Sequence, residues 1–328
     1  MPSRRPTSRP PLGITPRTLF VTGKGGVGKT TVAAAVALAW RNAGVRTLLV
    51  GLDGHAPAAR LLSPKRVGYE PVAITSGLWA MTIDLENALK EYARLRLKVK
   101  MLADRLVGSQ VIDQFTQAAP GFGELMVLGK LWSLSQLEDG RKRRRFEAIV
   151  VDAPATGHGL GLLNMAGVVA RMFPVGPIAA EARAVDAFVR SDTDAGVLLV
   201  TLAEEMPVNE TLELRDQLVD HGIHIVSTVV NGMLPDRFTD DDIALLDDVR
   251  AETGELDIQT AIDTVMHEHA RVRAQQAELQ RLTDQIGPVV SLPMQFAGSI
   301  NRGTIDDMAA RLARDTRRRP AGSGARDA

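Results

Sequence analysis

Cysteine is absent from all 328 residues of the sequence. Without it the chain cannot form disulfides, and it cannot bind zinc or an iron–sulfur cluster through thiolates. The formal net charge is +0, so nothing attracts the chain as a whole to nucleic acid, and we expect no nucleic-acid partner. No apolar run reaches the ~18 residues that suggest a transmembrane helix. We therefore expect a cytoplasmic protein whose contact with membranes is peripheral at most.

The two ends of the chain differ in composition from its middle. Residues 1–17 and 315–328 are rich in proline, glycine, arginine and small residues, which favours a disordered arm and a disordered tail. Hydrophobic residues make up 45% of the chain, enough for a substantial core. This composition predicts one folded domain over residues 18–314.

Seven short apolar runs predict buried parallel strands, because they lack the strict alternation of strands with one solvent-facing side. Helical patterns separate these runs, beginning with the alanine-rich segment 30–44, which Gly44 is expected to end. This order predicts an α/β fold with a doubly wound, mostly parallel sheet. The runs are TLFVT (18–22), RTLLVGL (46–52), LWAMTI (78–83), AIVVD (148–152), GVLLVTL (196–202), IVSTVV (225–230) and PVVSL (288–292).

Residues 85–106 carry apolar residues at spacings of three and four, which predicts an amphipathic helix with Asp84 as its N-cap. This helix begins a helical insertion over about 85–137, and a second insertion covers about 158–192. One interpretation is that the first insertion only packs on the sheet. The other is that it forms a lid or groove for a partner.

The stretch VTGKGGVGKTT (21–31) follows a predicted strand and precedes a predicted helix. Its G-x-x-x-x-G-K-[ST] frame predicts a phosphate-binding loop, in which glycines let backbone amides approach the phosphates of ATP. Lys29 is expected at the β- and γ-phosphates, and the Thr30 hydroxyl is expected to bind Mg²⁺. The predicted nucleotide-binding residues of the loop are Gly23, Lys24, Gly25, Gly26, Val27, Gly28, Lys29, Thr30 and Thr31.

Two aspartates end predicted strands, where an open parallel sheet binds its ligands. Asp152 closes AIVVD and is expected to hold Mg²⁺ with Thr30. Asp53 closes RTLLVGLD and is expected to orient or deprotonate the attacking water. A structural role as a loop cap is the alternative for each.

A second lysine, Lys24, makes the loop a deviant Walker A motif, K-G-G-x-G-K-[ST]-T. In relatives with this motif, the lysine crosses a dimer interface to the nucleotide of the other subunit. A cation supplied in this way stabilises the charge that develops during phosphoryl transfer. We therefore expect a dimer in which Lys24, Lys29 and Asp53 act in catalysis. The alternative is a solvated loop lysine.

The stretch VDAPATGHGLGLL (151–163) resembles the D-T-A-P-T-G-H switch II of the ArsA family, which includes arsenite-pump ATPases and tail-anchored-protein targeting ATPases. The resemblance covers about residues 18–312. It implies that Asn231 contacts adenine and that Glu210 and Pro293 line the adenosine pocket. It also implies a Mg²⁺-dependent ATPase whose dimer closes on ATP and moves a helical subdomain that engages a protein client. Further matching segments are LLVGLDGHAP (48–57), PGFGEL (120–125), TLAEEMPVNETLEL (201–214), VVNGM (229–233) and SLPMQFAGSINRG (291–303).

The chain also departs from this family pattern. Switch I reads D-G-H-A-P rather than D-P-A-H, so only Asp53 carries over. Without cysteine we expect neither a metalloid site nor a zinc site between subunits. Because the chain holds one ATPase half, it needs a second subunit, either identical or a paralogue.

Two alternative functions stay open at this point. One is a nucleotide-binding subunit that scarcely hydrolyses ATP without its paralogue. The other is a ParA/MinD-like positioning ATPase, for which the basic run GRKRRRF (140–146) would contact DNA or lipid. We interpret that run first as a solvated loop.

Overall fold

A computed structural model describes residues 16–97, 121–173, 175–296 and 299–315. Within these residues, eight strands form one sheet. They are β1 (Thr18–Thr22), β2 (Thr47–Leu52), β3 (Val72–Thr75), β4 (Leu78–Ile83), β5 (Ala148–Asp152), β6 (Ala195–Leu202), β7 (Ile225–Met233) and β8 (Val290–Pro293). The helices are α1 (Lys29–Asn42), α2 (Pro57–Leu62), α3 (Leu85–Leu97), α4 (Phe122–Gln136), α5 (Thr156–Met172), α6 (Pro177–Arg190), α7 (Glu205–Asp220), α8 (Asp240–Glu252), α9 (Leu256–Ile286) and α10 (Arg302–Asp315).

The strand order across the sheet is β3-β4-β2-β5-β1-β6-β7-β8. The β3–β4 pair is antiparallel, whereas the other neighbours are parallel, so the predicted doubly wound, mostly parallel sheet is confirmed. Each of the predicted apolar runs forms a strand. The sequence did not predict β3, a four-residue edge strand that joins β4 through a turn at Gly77, where φ is +79°.

Apolar side chains on both faces of the sheet are buried, as the unbroken apolar runs predicted. In β1, Leu19 and Val21 pack with α1, α2 and α10 on one face. Phe20 points to the other face and packs with helices α3 to α7. The period of two along the strand produces this division. The sheet is therefore covered on both sides, and its strand ends are where a ligand can approach.

Helix α1 is the most deeply buried helix at the centre of the fold. Its residues from Val32 to Trp40 are all buried, and most of them are alanine or valine. Small side chains let α1 fit between the sheet and α10. The helix ends as predicted before Gly44, where φ is +84° and the backbone nitrogen donates to the Arg41 oxygen.

Helix α3 begins where the sequence predicted, because the Asp84 carboxylate accepts from the backbone nitrogen of Asn87 at 2.8 Å. The rest of the predicted helix, residues 98–106, lies outside the described residues. Helices α3 and α4 belong to the first predicted insertion, and α5 and α6 to the second. Of the predicted arm and tail, only Pro16, Arg17 and Asp315 are described.

Helices α8 and α9 form a hairpin beyond β7. No residue of α8 is buried, and α8 packs on α9 alone among the elements with several contacts. Asp240 joins the two helices by accepting from Arg273 at 3.0 Å and contacting the His269 ring at 3.1 Å. Among the helices of the described residues, none combines the length and apolar character needed to cross a bilayer.

Candidate nucleotide-binding site

The residues that follow parallel strands meet at one edge of the sheet, the carboxyl edge. At this edge β1 lies between β5 and β6, and the register pairs Val21 with Asp152 and Thr22 with Leu199. The glycine-rich loop after β1 therefore starts at the centre of the sheet, beside the end of β5. The Thr22 hydroxyl fixes this arrangement by donating to the Pro154 oxygen at 2.9 Å.

At two positions of the loop, Gly23 and Gly28, a residue larger than glycine would not fit. A Cβ atom at Gly23 would lie 2.0 Å from the backbone oxygen of Val200, so the loop passes directly over β6. Gly28 has a φ of +92°, and its Cβ atom would lie 2.3 Å from the Asn231 amide nitrogen. That nitrogen donates to the Val27 oxygen at 3.0 Å. The loop is therefore held against β6 and β7 before α1 begins.

Lys29 is the first residue of α1, and its ammonium donates to the Lys24 backbone oxygen at 2.8 Å. Burial lowers the pKa of Lys29, while the negative charge of Asp152 acts in the opposite direction. The loop thus holds a partly desolvated cation beside backbone amides. This arrangement suits an anionic ligand, whose charge would stabilise the protonated lysine.

Asp152 ends β5, and the Thr30 hydroxyl and the Lys29 ammonium lie near its carboxyl. Burial raises the pKa of Asp152, while the neighbouring hydroxyl and positive charge oppose that shift. A neighbouring hydroxyl and carboxylate are oxygen ligands of the kind that Mg²⁺ prefers. The described residues contain no cluster of three or more acidic, histidine or cysteine side chains that could hold a metal without further ligands. These two oxygens would therefore need phosphate and water oxygens to complete a magnesium site.

Lys24 makes an ion pair that the sequence did not predict. Its ammonium lies 2.6 Å from a carboxylate oxygen of Glu210 on α7. The side chains are 31% and 32% exposed, respectively. The resemblance assigned Glu210 to the adenosine pocket and Lys24 to a partner subunit. In this structure the two side chains contact each other, and both assigned roles stay predictions.

Asp53 follows β2 at the same edge and has an unusual backbone. Its φ is +56°, in the left-handed region, where asparagine and aspartate are tolerated better than most residues. Its side chain is exposed and makes no hydrogen bond with the described part of the chain. Asp53 therefore lies at the edge where the sequence placed it, with a carboxylate that is not held by the protein.

Beyond Asn231, two loops continue the carboxyl edge past β7 and β8. The backbone nitrogen of Met294 donates to the Met233 oxygen at 2.8 Å, which keeps Pro293 beside β7. The Arg237 guanidinium lies 5.6 Å from the centre of the Phe296 ring. The sequence analysis missed this stacked pair, because residues 59 positions apart carry no local pattern that would join them.

The loop residues have space for a phosphate group. A Cβ atom at Gly25 or Gly26 would meet nothing within 4 Å, and both glycines are exposed. Together with the N-terminus of α1, this open surface has the features of a nucleotide phosphate site. The residues present therefore fit both ATP and Mg²⁺.

Comparison with known proteins finds both a family and individual relatives that are similar to this chain. The model of the ArsA ATPase family, described as anion-transporting ATPase, matches residues 16–175. The ATPase BagA of Mycobacterium tuberculosis is 34% identical over 245 residues, which are 73% of this chain and 70% of the relative. The arsenical pump-driving ATPase of Escherichia coli is 30% identical over 241 residues, which are 67% of this chain and 40% of the relative. An uncharacterised protein of Streptomyces coelicolor is 32% identical over 148 residues, which are 45% of this chain and 36% of the relative.

Proposed function

The chain belongs to the ArsA family of ATPases, and on that basis we propose that it is a Mg²⁺-dependent ATP hydrolase that acts as a dimer and moves a helical subdomain. The observation that carries the proposal is that Lys29 and Thr30 begin α1 directly after the glycine-rich loop, near Asp152 at the end of β5. This group places one cation and two oxygen ligands at the start of α1, where phosphates and Mg²⁺ would bind.

In the proposed reaction, each of these residues has one role. Lys29 binds the β- and γ-phosphates, and Thr30 and Asp152 hold Mg²⁺, which stabilises negative charge on the phosphate oxygens when bound. Asp53 orients a water molecule and accepts its proton. The water oxygen forms a bond to the γ-phosphorus, the bond from that phosphorus to the bridging oxygen breaks, and ADP leaves with phosphate. The exposed Asp53 carboxylate supports this role, because no contact in the described residues holds it away from a ligand.

We propose that the nucleoside of ATP binds on the side of the loop that faces Asn231. Asn231, Glu210 and Pro293 are proposed to form the adenosine pocket, with Asn231 contacting adenine. Its amide lies directly over Gly28, as a pocket next to the phosphates requires.

Dimerisation is the second element of the proposal. In the closed dimer, Lys24 leaves Glu210 and reaches the phosphates of the other subunit. The ammonium is partly exposed and is held by a single carboxylate, so this exchange would break one ion pair. The second subunit is a second copy or a paralogue. The altered switch I around Asp53 favours a variant of this proposal, in which the chain hydrolyses ATP slowly unless the paralogue is present.

The helical subdomain is proposed to engage a protein client. Met172, Phe173 and Val175, between α5 and α6, are 54%, 40% and 83% exposed, an unusual concentration of apolar surface. Helices α3, α4 and α6 also line an open pocket of about 260 Å³, whose lining includes Tyr92 and Trp132 beside Glu91 and Lys130. Because α5 follows Asp152 directly, a change at the nucleotide would move this surface.

Phosphate release by the purified chain with Mg·ATP tests the enzymatic proposal. We expect Lys29→Ala to abolish turnover, whereas Lys65→Ala, a lysine away from the loop, should keep it. Light scattering with Mg·ADP and aluminium fluoride tests the dimer, which should form with the wild type and fail with Lys24→Ala. Normal turnover in Lys29→Ala would refute the site. A wild-type monomer that hydrolyses ATP only with an added paralogue would establish the heterodimer.

A further inference from the structure

The basic run Arg141–Arg145 forms a turn that the proposed function leaves unexplained. It lies between α4 and β5, so it is at the amino edge of the sheet, opposite the phosphate loop. We call residues Leu137–Phe146 the basic turn. We propose that the basic turn docks the protein on a bilayer that is rich in anionic phospholipid.

The basic turn is held in shape by its own hydrogen bonds. The Asp139 carboxylate accepts from the backbone nitrogens of Arg141 at 2.9 Å and Arg143 at 3.1 Å. The bond from Arg143, followed by that from Arg141, lowers the pKa of Asp139. The backbone nitrogen of Arg145 donates to the Leu137 oxygen at 2.7 Å, which closes the turn. A binding partner would therefore meet a preformed surface and would not have to order this loop.

Two of the five cations in the run serve the turn itself. Arg143 lies 3.2 Å from Asp139, and Arg144 donates to the Ser135 backbone oxygen. A further arginine, Arg46, fixes the turn to the start of β2 by donating to the Arg144 oxygen at 2.6 Å, and it also pairs with Glu147 at 3.6 Å. Asp139 and Glu147 are thus used in holding the turn together, whereas Glu138 is exposed and leaves the turn with more cations than acids.

The other three cations, Arg141, Lys142 and Arg145, make no ion pair with a carboxylate in the residues that the structure covers. All three are exposed, and in the described residues the Arg145 guanidinium contacts only the face of the buried Phe146 ring, at 5.2 Å. Neighbouring like charges without counterions favour an anionic partner. On an anionic bilayer, each such residue strengthens binding by roughly fivefold.

The amino edge carries further features that suit a bilayer. Leu137, at the base of the turn, is 38% exposed beside the cations, as expected of a residue that reaches the lipid interface. Docking here would leave the phosphate loop facing away from the membrane.

Nucleic acid is the competing partner, and the turn lacks what it would need. Phe146 is 2% exposed, so it offers no ring for stacking on a base. The exposed cations of the turn lie next to Leu137, which is 38% exposed. Apolar surface beside cations suits the interface of an anionic bilayer better than a phosphate backbone.

Sedimentation of the full-length chain with vesicles tests the proposal. We expect binding to vesicles of mixed phosphatidylglycerol and phosphatidylcholine, no binding to phosphatidylcholine alone, and weakening by salt. Replacing the three free cations, Arg141→Gln/Lys142→Gln/Arg145→Gln, should reduce the partition coefficient about 100-fold, at roughly fivefold for each charge. The single variant Arg141→Gln should reduce it about fivefold by the same rule.

The matched control removes three exposed cations elsewhere, Arg60→Gln/Lys65→Gln/Arg66→Gln, and should bind vesicles as the wild type does. Both triple variants should melt at the wild-type temperature. A wild type that ignores anionic vesicles overturns the proposal, as does a turn variant that binds them undiminished. Tighter binding of the wild type to a DNA duplex or RNA oligonucleotide than to vesicles would assign the turn to nucleic acid instead.

Discussion

The left-handed backbone of Asp53 separates the chemical role of this residue from its structural role. An ordinary L-residue pays roughly 1–2 kcal/mol in this conformation, whereas asparagine is tolerated and glycine is unstrained. At φ +56°, Asp53→Asn should therefore leave the free energy of unfolding nearly unchanged. Asp53→Ala should lower it by about 1 kcal/mol, and Asp53→Gly should keep or slightly raise it. For a folded region of this size, 1 kcal/mol corresponds to roughly 1.5–2 °C in melting temperature.

Hydrolysis should follow a different order from stability. If Asp53 orients and deprotonates water, all three variants should lose turnover by about 10²–10⁴-fold, whatever their melting temperature. Calorimetry without nucleotide and phosphate release with Mg·ATP measure the two effects on the same preparations. Wild-type turnover in Asp53→Asn would refute the catalytic role. Equal melting temperatures for the alanine and asparagine variants would refute the left-handed backbone.

Three further predictions concern the same edge of the sheet. Glu210→Gln should release Lys24 from a half-buried ion pair worth roughly 1 kcal/mol. Nucleotide-dependent dimerisation, measured by light scattering, should then tighten about fivefold. The control is Glu213→Gln, and a dimerisation affinity in Glu210→Gln that equals that of the control would contradict the prediction. Burial raises the pKa of Asp152 above its unfolded value of about 3.9, so its ionisation destabilises the fold as pH rises through and above that value. Asp152→Asn should therefore raise the melting temperature at neutral pH when no ligand is present. The variant should also lose the increase in melting temperature that Mg·ATP gives the wild type. A lower melting temperature without ligand would show that the Asp152 charge stabilises the fold by balancing the positive charge of Lys29. Gly51→Ala places a Cβ atom 1.9 Å from a backbone oxygen of the turn that follows β2. The substitution should lower the free energy of unfolding, measured by calorimetry, by about 1–3 kcal/mol. An unchanged free energy of unfolding would mean that the turn can shift freely.

The sequence predicted the features that depend on neighbouring residues. The phosphate loop, the strand before it and the helix after it are encoded within residues 18–44, and the structure has all three. Asp152 and Asp53 could be placed at one edge because parallel strands end together. Their catalytic roles remain predictions, since position alone does not test them.

Contacts between distant parts of the chain could not be predicted in this way. Lys24 and Glu210 are 186 positions apart, and the amide of Asn231 meets a backbone oxygen 204 positions away. Such contacts depend on how α7 and β7 pack beside the loop, which no local pattern encodes. Strand β3 was missed for another reason. Its four residues alternate in exposure at the sheet edge, and so short a run is hard to distinguish from a loop.

The burial of α1 has a consequence for how this gene can vary. Every side chain from Val32 to Trp40 is buried. The alanines at 33, 34, 35, 37 and 39 lie against the sheet or α10 and expose almost none of their surface to solvent. A scan of all substitutions should therefore tolerate only glycine or serine at those alanines, while α8, which has no buried residue, should accept most changes. Among natural variants we therefore expect α1 to vary least of the described helices. Although α1 begins at Lys29, a residue proposed for catalysis, the cause would be the lack of space around its buried side chains.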